Sequence, residues 1–199
     1  MDRLNFLDPI FKPRSIAIIG ASTQVEKWGH RMVVRPSTTG YRGAIYPVNP
    51  NAKEVAGLKS FAAIAELPRD VDLAVITLPA PRVPEALQEC LRHGIRGAVV
   101  ISAGFAEAGP EGEKLQEELR RIASEANIPL VGPNCMGLWS DPVSLNLAFE
   151  ESPLRGSIAF ISQSGTLGHY LMLLAKAKGY GFSAFVSSGN RPCSKWWTT

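Results

Sequence analysis

Five short stretches have the residue types to hold a ligand, and a sixth has those to hold a phosphate. Gly20-Ala21-Ser22-Thr23, Val48-Asn49-Pro50, Pro79-Ala80-Pro81, Ser102-Ala103-Gly104 and Gly132-Pro133-Asn134 are rich in Gly, Pro, Ser and Asn. Glycine and other small residues let backbone amides approach a bound molecule closely. Ser162-Gln163-Ser164-Gly165-Thr166 has the small residues of a helix start, where free amides and the helix dipole attract an anion. Each of the first five is, alone, also an ordinary turn, and Ser164 is also an ordinary N-cap. Their common place, at the ends of apolar runs, favours a ligand site. Cys135 has no His or acid placed by sequence to activate it, and reads as a small residue in a tight turn. His30 lies next to the first loop, and His93 at a helix end. A hydrolase elbow centred on Ser164 needs glycines where Ser162 and Thr166 stand, so serine hydrolysis is disfavoured.

The elements that must position these loops follow from hydrophobic pattern. Apolar runs at Ser15–Ile19, 44–48, 72–78, 97–101 and 128–131 read as buried strands. The pattern predicts helices over about 30–35, stopped by Pro36, over 60–67, from 83 to Gly94, and over 110–127. The third presents Val83, Leu87, Cys90 and Leu91 on one face; the fourth presents Leu115, Leu119, Ile122 and Ala126. Glu117 and Arg121 read as an i,i+4 pair. Strands alternating with amphipathic helices imply an α/β protein with a Rossmann-like parallel sheet and helices on both faces. This first domain spans residues 1–139. Residues 140–156, with Pro142 and Pro153, read as a linker. Residues 157–190 then form one strand–helix–strand unit, too small to be a domain alone.

The chain has 199 residues, 45% hydrophobic and 20% charged, with a formal charge of +3. That is an ordinary globular balance. Without the last ten residues, which hold Arg191 and Lys195, the charge falls to +1. Nucleic-acid and membrane surfaces are therefore not expected. There is no apolar run of membrane-spanning length and no secretory signal. Three widely spaced cysteines give no metal spacing and suit a cytoplasmic, reduced protein.

NAD is disfavoured because G-x-G-x-x-G is missing: after Gly20 the next glycine is Gly29. The second strand ends in Val48-Asn49-Pro50, with Lys53 beyond, where an acidic residue would hold a bare ribose. A lysine suits a phosphate, although Lys53 is equally a solvated surface residue. Coenzyme A carries both a pyrophosphate and a ribose 3′-phosphate, and fits.

Six blocks carry a resemblance. They are Ile18–Ser22, Ile45–Pro50, Val71–Ala80, Val99–Phe105, Gly132–Gly137 and Ile161–Gly165. In this order and spacing, from Phe6 to Asn190, the chain resembles the CoA-binding domain of NDP-forming (ADP-forming) acyl-CoA synthetases. That group includes acetyl-CoA synthetase and the succinyl-CoA synthetase alpha subunit. The resemblance implies a second, flavodoxin-like α/β domain beginning at residue 157. It implies CoA contacts at Gly20, Ala21, Ser22, Thr23, Asn49, Pro50, Lys53, Pro79, Ala80, Pro81, Ile101, Ser102, Ala103 and Asn134. Ala103 stands where the succinate enzymes have Glu. Ser164, Gly165 and Thr166 would face the phosphate of a phosphohistidine, and His169 matches a Tyr near the acyl group.

The implied reaction is carboxylic acid + CoA + ATP to acyl-CoA + ADP + phosphate, through an acyl phosphate and a phosphohistidine. None of the three histidines matches the phosphorylated one, and no ATP-grasp segment is present, so ATP/ADP and Mg would enter only through further parts or a partner. The expected chain is inactive alone. Residues 191–199 depart from the family pattern, as in a truncated or frame-shifted chain, an artificial boundary, or a short form that binds a partner. The alternative function is a non-catalytic CoA-binding regulatory module, or the N-terminal part of a lysine acetyltransferase fusion. An oxidoreductase is third.

Overall fold

A computed structural model describes residues 3–190. Its elements are α1 (Arg3–Phe11), β1 (Ser15–Ile19), α2 (Trp28–Thr38), β2 (Ala44–Val48), β3 (Glu54–Val55), β4 (Leu58–Lys59), β5 (Leu73–Ile76) and α3 (Val83–His93). Then follow β6 (Gly97–Val100), α4 (Pro110–Glu125), β7 (Leu130–Val131), β8 (Leu138–Ser140), β9 (Leu145–Asn146), β10 (Arg155–Ser162), α5 (Gly165–Ala177) and β11 (Phe182–Ser187).

The first sheet has the order β2-β1-β5-β6-β7, all parallel. Its central strands are buried throughout and feed two cores. Ala17, Ile19, Ala74, Ile76, Ala98 and Val100 face α3 and α4. Ile16, Ile18, Leu73, Val75, Val99 and Ile101 face the other way, toward Ile10 of α1 and Met32 and Val33 of α2. This is the Rossmann-like, doubly wound arrangement. Chain order reverses at β1, between β2 and β5, and opens a crevice at the carboxyl ends of those strands. Gly94 closes α3 in the left-handed region, as its place past the helix predicts.

Several local expectations are corrected. Pro36 does not stop α2, which runs to Thr38. The hydroxyls of Ser37, Thr38 and Thr39 donate back to carbonyls of Val33, Val34 and Arg35 and satisfy the last turn. Residues 60–67 are not a helix. Phe61 pairs with β2, donating to Pro47 O and accepting from Asn49 N, and only Ile64–Glu66 makes a 3₁₀ turn. On α4, Ala126 is exposed and Ala123 takes its place in the core. Glu117 pairs with Arg120, and Arg121 pairs with Glu125. His93 is buried, its Nε2 2.9 Å from Pro68 O.

The stretch read as a linker, 140–156, is a core element. β8 and β9 form an antiparallel hairpin, and β8 also pairs antiparallel with β11. β11 in turn pairs parallel with β10, giving a second sheet of order β10-β11-β8-β9. Leu138, Leu145 and Leu147 pack into the α2-side core, while Trp139 and Phe149 join Met172, Phe182 and Phe185 in a small core of their own. No helix among the described residues is long and apolar enough to cross a membrane. The tail, 191–199, lies outside the described residues.

Asp72 locks the amino ends of three neighbouring strands. Its carboxylate accepts from Arg14 N at 2.8 Å and from Arg96 Nη2 at 2.9 Å, with Arg14 Nε at 3.4 Å. Burial pushes its pKa up, but these donors outweigh burial and hold it below the usual aspartate value. A depressed carboxylate stabilises the fold above its unfolded pKa and loses that contribution as pH falls through its folded one. We expect Asp72→Asn to cost about 1–3 kcal/mol at neutral pH. The deficit should shrink below about pH 4. Urea unfolding of both proteins across pH checks this.

Candidate active site

The loop after β1 is wired from three sides. Ala21 N donates to Val48 O (3.1 Å), Asn49 Nδ2 donates to Ala21 O (2.7 Å), and Thr77 Oγ1 donates to Gly20 O (3.0 Å). His30 Nδ1 lies 3.0 Å from Ser22 O. Gly20 itself has φ +90°, which glycine adopts without strain. At Gly29 the first turn of α2 passes so close that a Cβ would sit 2.2 Å from Gly20 O. Third-glycine packing of helix against strand, familiar from dinucleotide folds, is therefore supplied by Gly29.

The loop after β6 is fixed in the same manner. Ser102 Oγ donates to Leu78 O, and Asn134 N donates to Ser102 O at 2.8 Å. Glu107 accepts from Gly104 N (2.6 Å) and Phe105 N (3.2 Å), and from Asn190 Nδ2. These bonds outweigh burial and keep its pKa below the ordinary value. The second sheet is tied in through Met136 N, which donates to Ser187 Oγ at 3.0 Å.

Together these loops surround a cleft of about 820 Å³. Of the residues expected from sequence, Gly20, Ala21, Ser22, Asn49, Pro79, Ile101, Ser102, Ala103, Asn134, Gly165 and Thr166 line it. Others do not. Thr23, Pro50 and Pro81 are exposed, and Ala80 is buried as the first residue of the 3₁₀ turn that follows Pro79. Lys53 is exposed at the edge of the β3–β4 hairpin. Ser164 caps α5, accepting from Leu167 N at 3.2 Å, which is the ordinary N-cap role. His169 lies away from the lining, its ring 6.0 Å from that of Phe149. Its placement as an acyl-pocket residue does not follow from this packing.

Lys27, Trp28, Thr77, Leu78, Cys135, Met136, Gln163 and Ser187 line the cleft and were not expected there. Among the described residues Lys27 is the one charged side chain in the lining. It sits immediately before α2, in the loop between Gly20 and Gly29, and its approach to the cleft is set by how α2 enters the sheet. Trp28 beside it lies under Arg31 and Arg35, whose guanidinium carbons are 5.5 and 5.3 Å from the ring centre. Cys135 is buried and its Sγ donates to Val100 O; burial pushes its pKa up to about 12, which keeps the thiol protonated. With one lysine, the amino end of α5 and no carboxylate in its lining among the described residues, the cleft suits an extended anion with phosphate at one end.

Residues 14–141 match the family described as "CoA binding domain". The chain belongs to that family. In this CoA-binding domain the match covers the whole first sheet, and residues 155–194 match the "Succinyl-CoA ligase like flavodoxin domain". Acetate–CoA ligase [ADP-forming] I of Archaeoglobus fulgidus is 41% identical over 186 residues, 93% of this chain and 27% of that protein. The alpha subunit of acetate–CoA ligase [ADP-forming] II of Pyrococcus furiosus is 41% identical, over 92% of this chain and 40% of that protein. The chain thus spans less than half the length of these relatives. Among solved structures, PH0766 from Pyrococcus horikoshii superposes with TM-score 0.88 at 38% identity, over 94% of this chain and 43% of that one. The acetyl-coenzyme A synthetase 1 of Ca. Korarchaeum cryptofilum, solved with phosphate and ADP, gives TM-score 0.87 at 38% identity, over 94% and 40%.

Proposed function

We propose that the cleft binds coenzyme A, and that the chain supplies the CoA site and half of the phosphate cradle of an ADP-forming acyl-CoA synthetase. The observation that carries this reading is the convergence of the loops after β1, β5 and β6 with the amino end of α5 on one cleft. CoA lies against Gly20–Ser22 and Ile101–Ala103, with its phosphates toward Lys27 rather than Lys53. The face formed by Gly165 and Thr166 receives the phosphate carried by a phosphohistidine. On this reading the phosphohistidine belongs further along the second domain and ATP enters through an ATP-grasp domain or subunit, and no turnover is expected of the 199-residue chain alone. Two buried free thiols, Cys90 and Cys135, suit the reducing cytoplasm.

Calorimetric titration with CoA, dephospho-CoA and NAD tests the reading. CoA should bind, more weakly without its 3′-phosphate, and NAD should not. Lys27→Ala should weaken CoA about tenfold, as expected for a lost charge-assisted contact, while Lys53→Ala changes it little. A folded chain that binds NAD as well as it binds CoA overturns the assignment.

A further inference from the structure

A second cavity, of about 760 Å³, opens at the opposite end of the molecule. Its lining comes from the amino ends of parallel strands in both sheets: Arg14 before β1, Arg42 before β2, and Arg155 at the start of β10. The CoA cleft lies at the carboxyl ends, so the two sites share no residue.

Three guanidinium groups from three separate segments border this cavity, and among the described residues no acidic side chain lines it. Their charges are only partly met. Arg155 is paired with Asp141 at 3.3 Å and donates to Ser144 Oγ at 2.6 Å. Arg14 must share Asp72 with Arg96, so two guanidiniums face one carboxylate. Among the described residues Arg42 makes no ion pair. Arg42 and the part of Arg14 that Asp72 does not meet leave between one and two positive charges beside the cavity. The wall is firmly built: Tyr41 is buried and donates through its hydroxyl to Pro13 O. Ser144 is buried in the left-handed region at φ +54°, a conformation that costs energy in a non-glycine residue.

We propose that this cavity binds a diphosphate-bearing anion. Guanidinium forks pair phosphate oxygens bidentately. This surplus, with the three guanidinium forks around it, suits a multiply charged phosphate anion, and the volume is that of a small-molecule site. Inorganic pyrophosphate and a nucleoside diphosphate share this chemistry.

The test is titration of the ¹⁵N-labelled chain with pyrophosphate, with ADP and with inorganic phosphate, followed by amide shifts. Pyrophosphate should move the amides of Gly40, Arg42 and Gly43 and bind tighter than inorganic phosphate. ADP with affinity beyond pyrophosphate names a nucleotide as the ligand; equal affinity names the diphosphate alone. Arg42→Gln, which removes no ion pair or side-chain hydrogen bond among the described residues, should weaken pyrophosphate about tenfold or more. Shifts confined to Gly20–Ser22 and Gly165–Thr166, or an Arg42→Gln protein that binds as the parent does, would overturn the proposal.

Discussion

Arg35→Met should destabilise the protein by about 2–4 kcal/mol and loosen the second sheet first. Arg35 is 7% exposed, and its Nη1 donates to Leu147 O (3.2 Å) and Ala148 O (3.1 Å). Burial and the neighbouring Arg31 lower its pKa, yet a guanidinium stays protonated at any working pH. The methionine keeps an apolar stem of similar length and leaves two buried carbonyls without a donor. An unmet buried acceptor costs about 1–3 kcal/mol. At roughly 2–4 °C per kcal/mol for a chain of this size, the midpoint should fall by about 4–16 °C. Hydrogen exchange locates the damage: amides of β8, β9 and β11 should lose protection before those of β1, β5 and β6. Arg35→Lys, reaching one carbonyl at a time, should fall between the two. Uniform loss of protection across both sheets would show that Arg35 does not serve as the strap between them.

That strap was invisible in the sequence, and the reason is physical. Residues 140–156 carry two prolines and an asparagine among their apolar residues, so the two-residue alternation of Leu145, Leu147 and Phe149 is masked. Asn146, fully buried, replaces the missing backbone partners: its Oδ1 accepts from Ala148 N and Phe149 N, and its Nδ2 donates to Phe149 O. Side-chain satisfaction of this kind has no periodic signature. α1 was missed for a similar reason. Pro9 sits inside it, yet the helix still packs Pro9 and Ile10 against Gly97. By contrast β1, β5, β6, α3 and α4 were legible, because each is either a continuous apolar run or an apolar stripe with Gly or Pro at one end. The site divides along the same line. Loops at strand ends could be read because small residues cluster there. Lys27 and Trp28 could not, since their relation to the cleft depends on how α2 enters the sheet.

Gly29→Ala tests that entry directly, and it should abolish most CoA binding while the chain remains folded. A methyl group at this position would lie 2.2 Å from Gly20 O, 3.1 Å from Ser22 N and 3.2 Å from the carbonyl carbon of Ala21. All three are backbone atoms, so no side-chain rotation relieves the clash. Either α2 withdraws or the Gly20–Ser22 loop moves into the cleft, and both displace Lys27. Overpacking of this kind costs about 1–3 kcal/mol, which a domain with two well-formed cores can absorb. The effect on the site is larger than the effect on the fold, because the shifted loop is the floor of the cleft. CoA affinity should fall at least tenfold, with a midpoint lowered by roughly 2–12 °C. Gly57→Ala is the matching control. Gly57 also lies in a tight turn, at φ +80°, but nothing stands within 4 Å of its added methyl. It should lose some stability and keep CoA affinity. Equal losses of affinity in the two variants would mean that the close contact of α2 with the first loop does not shape the site.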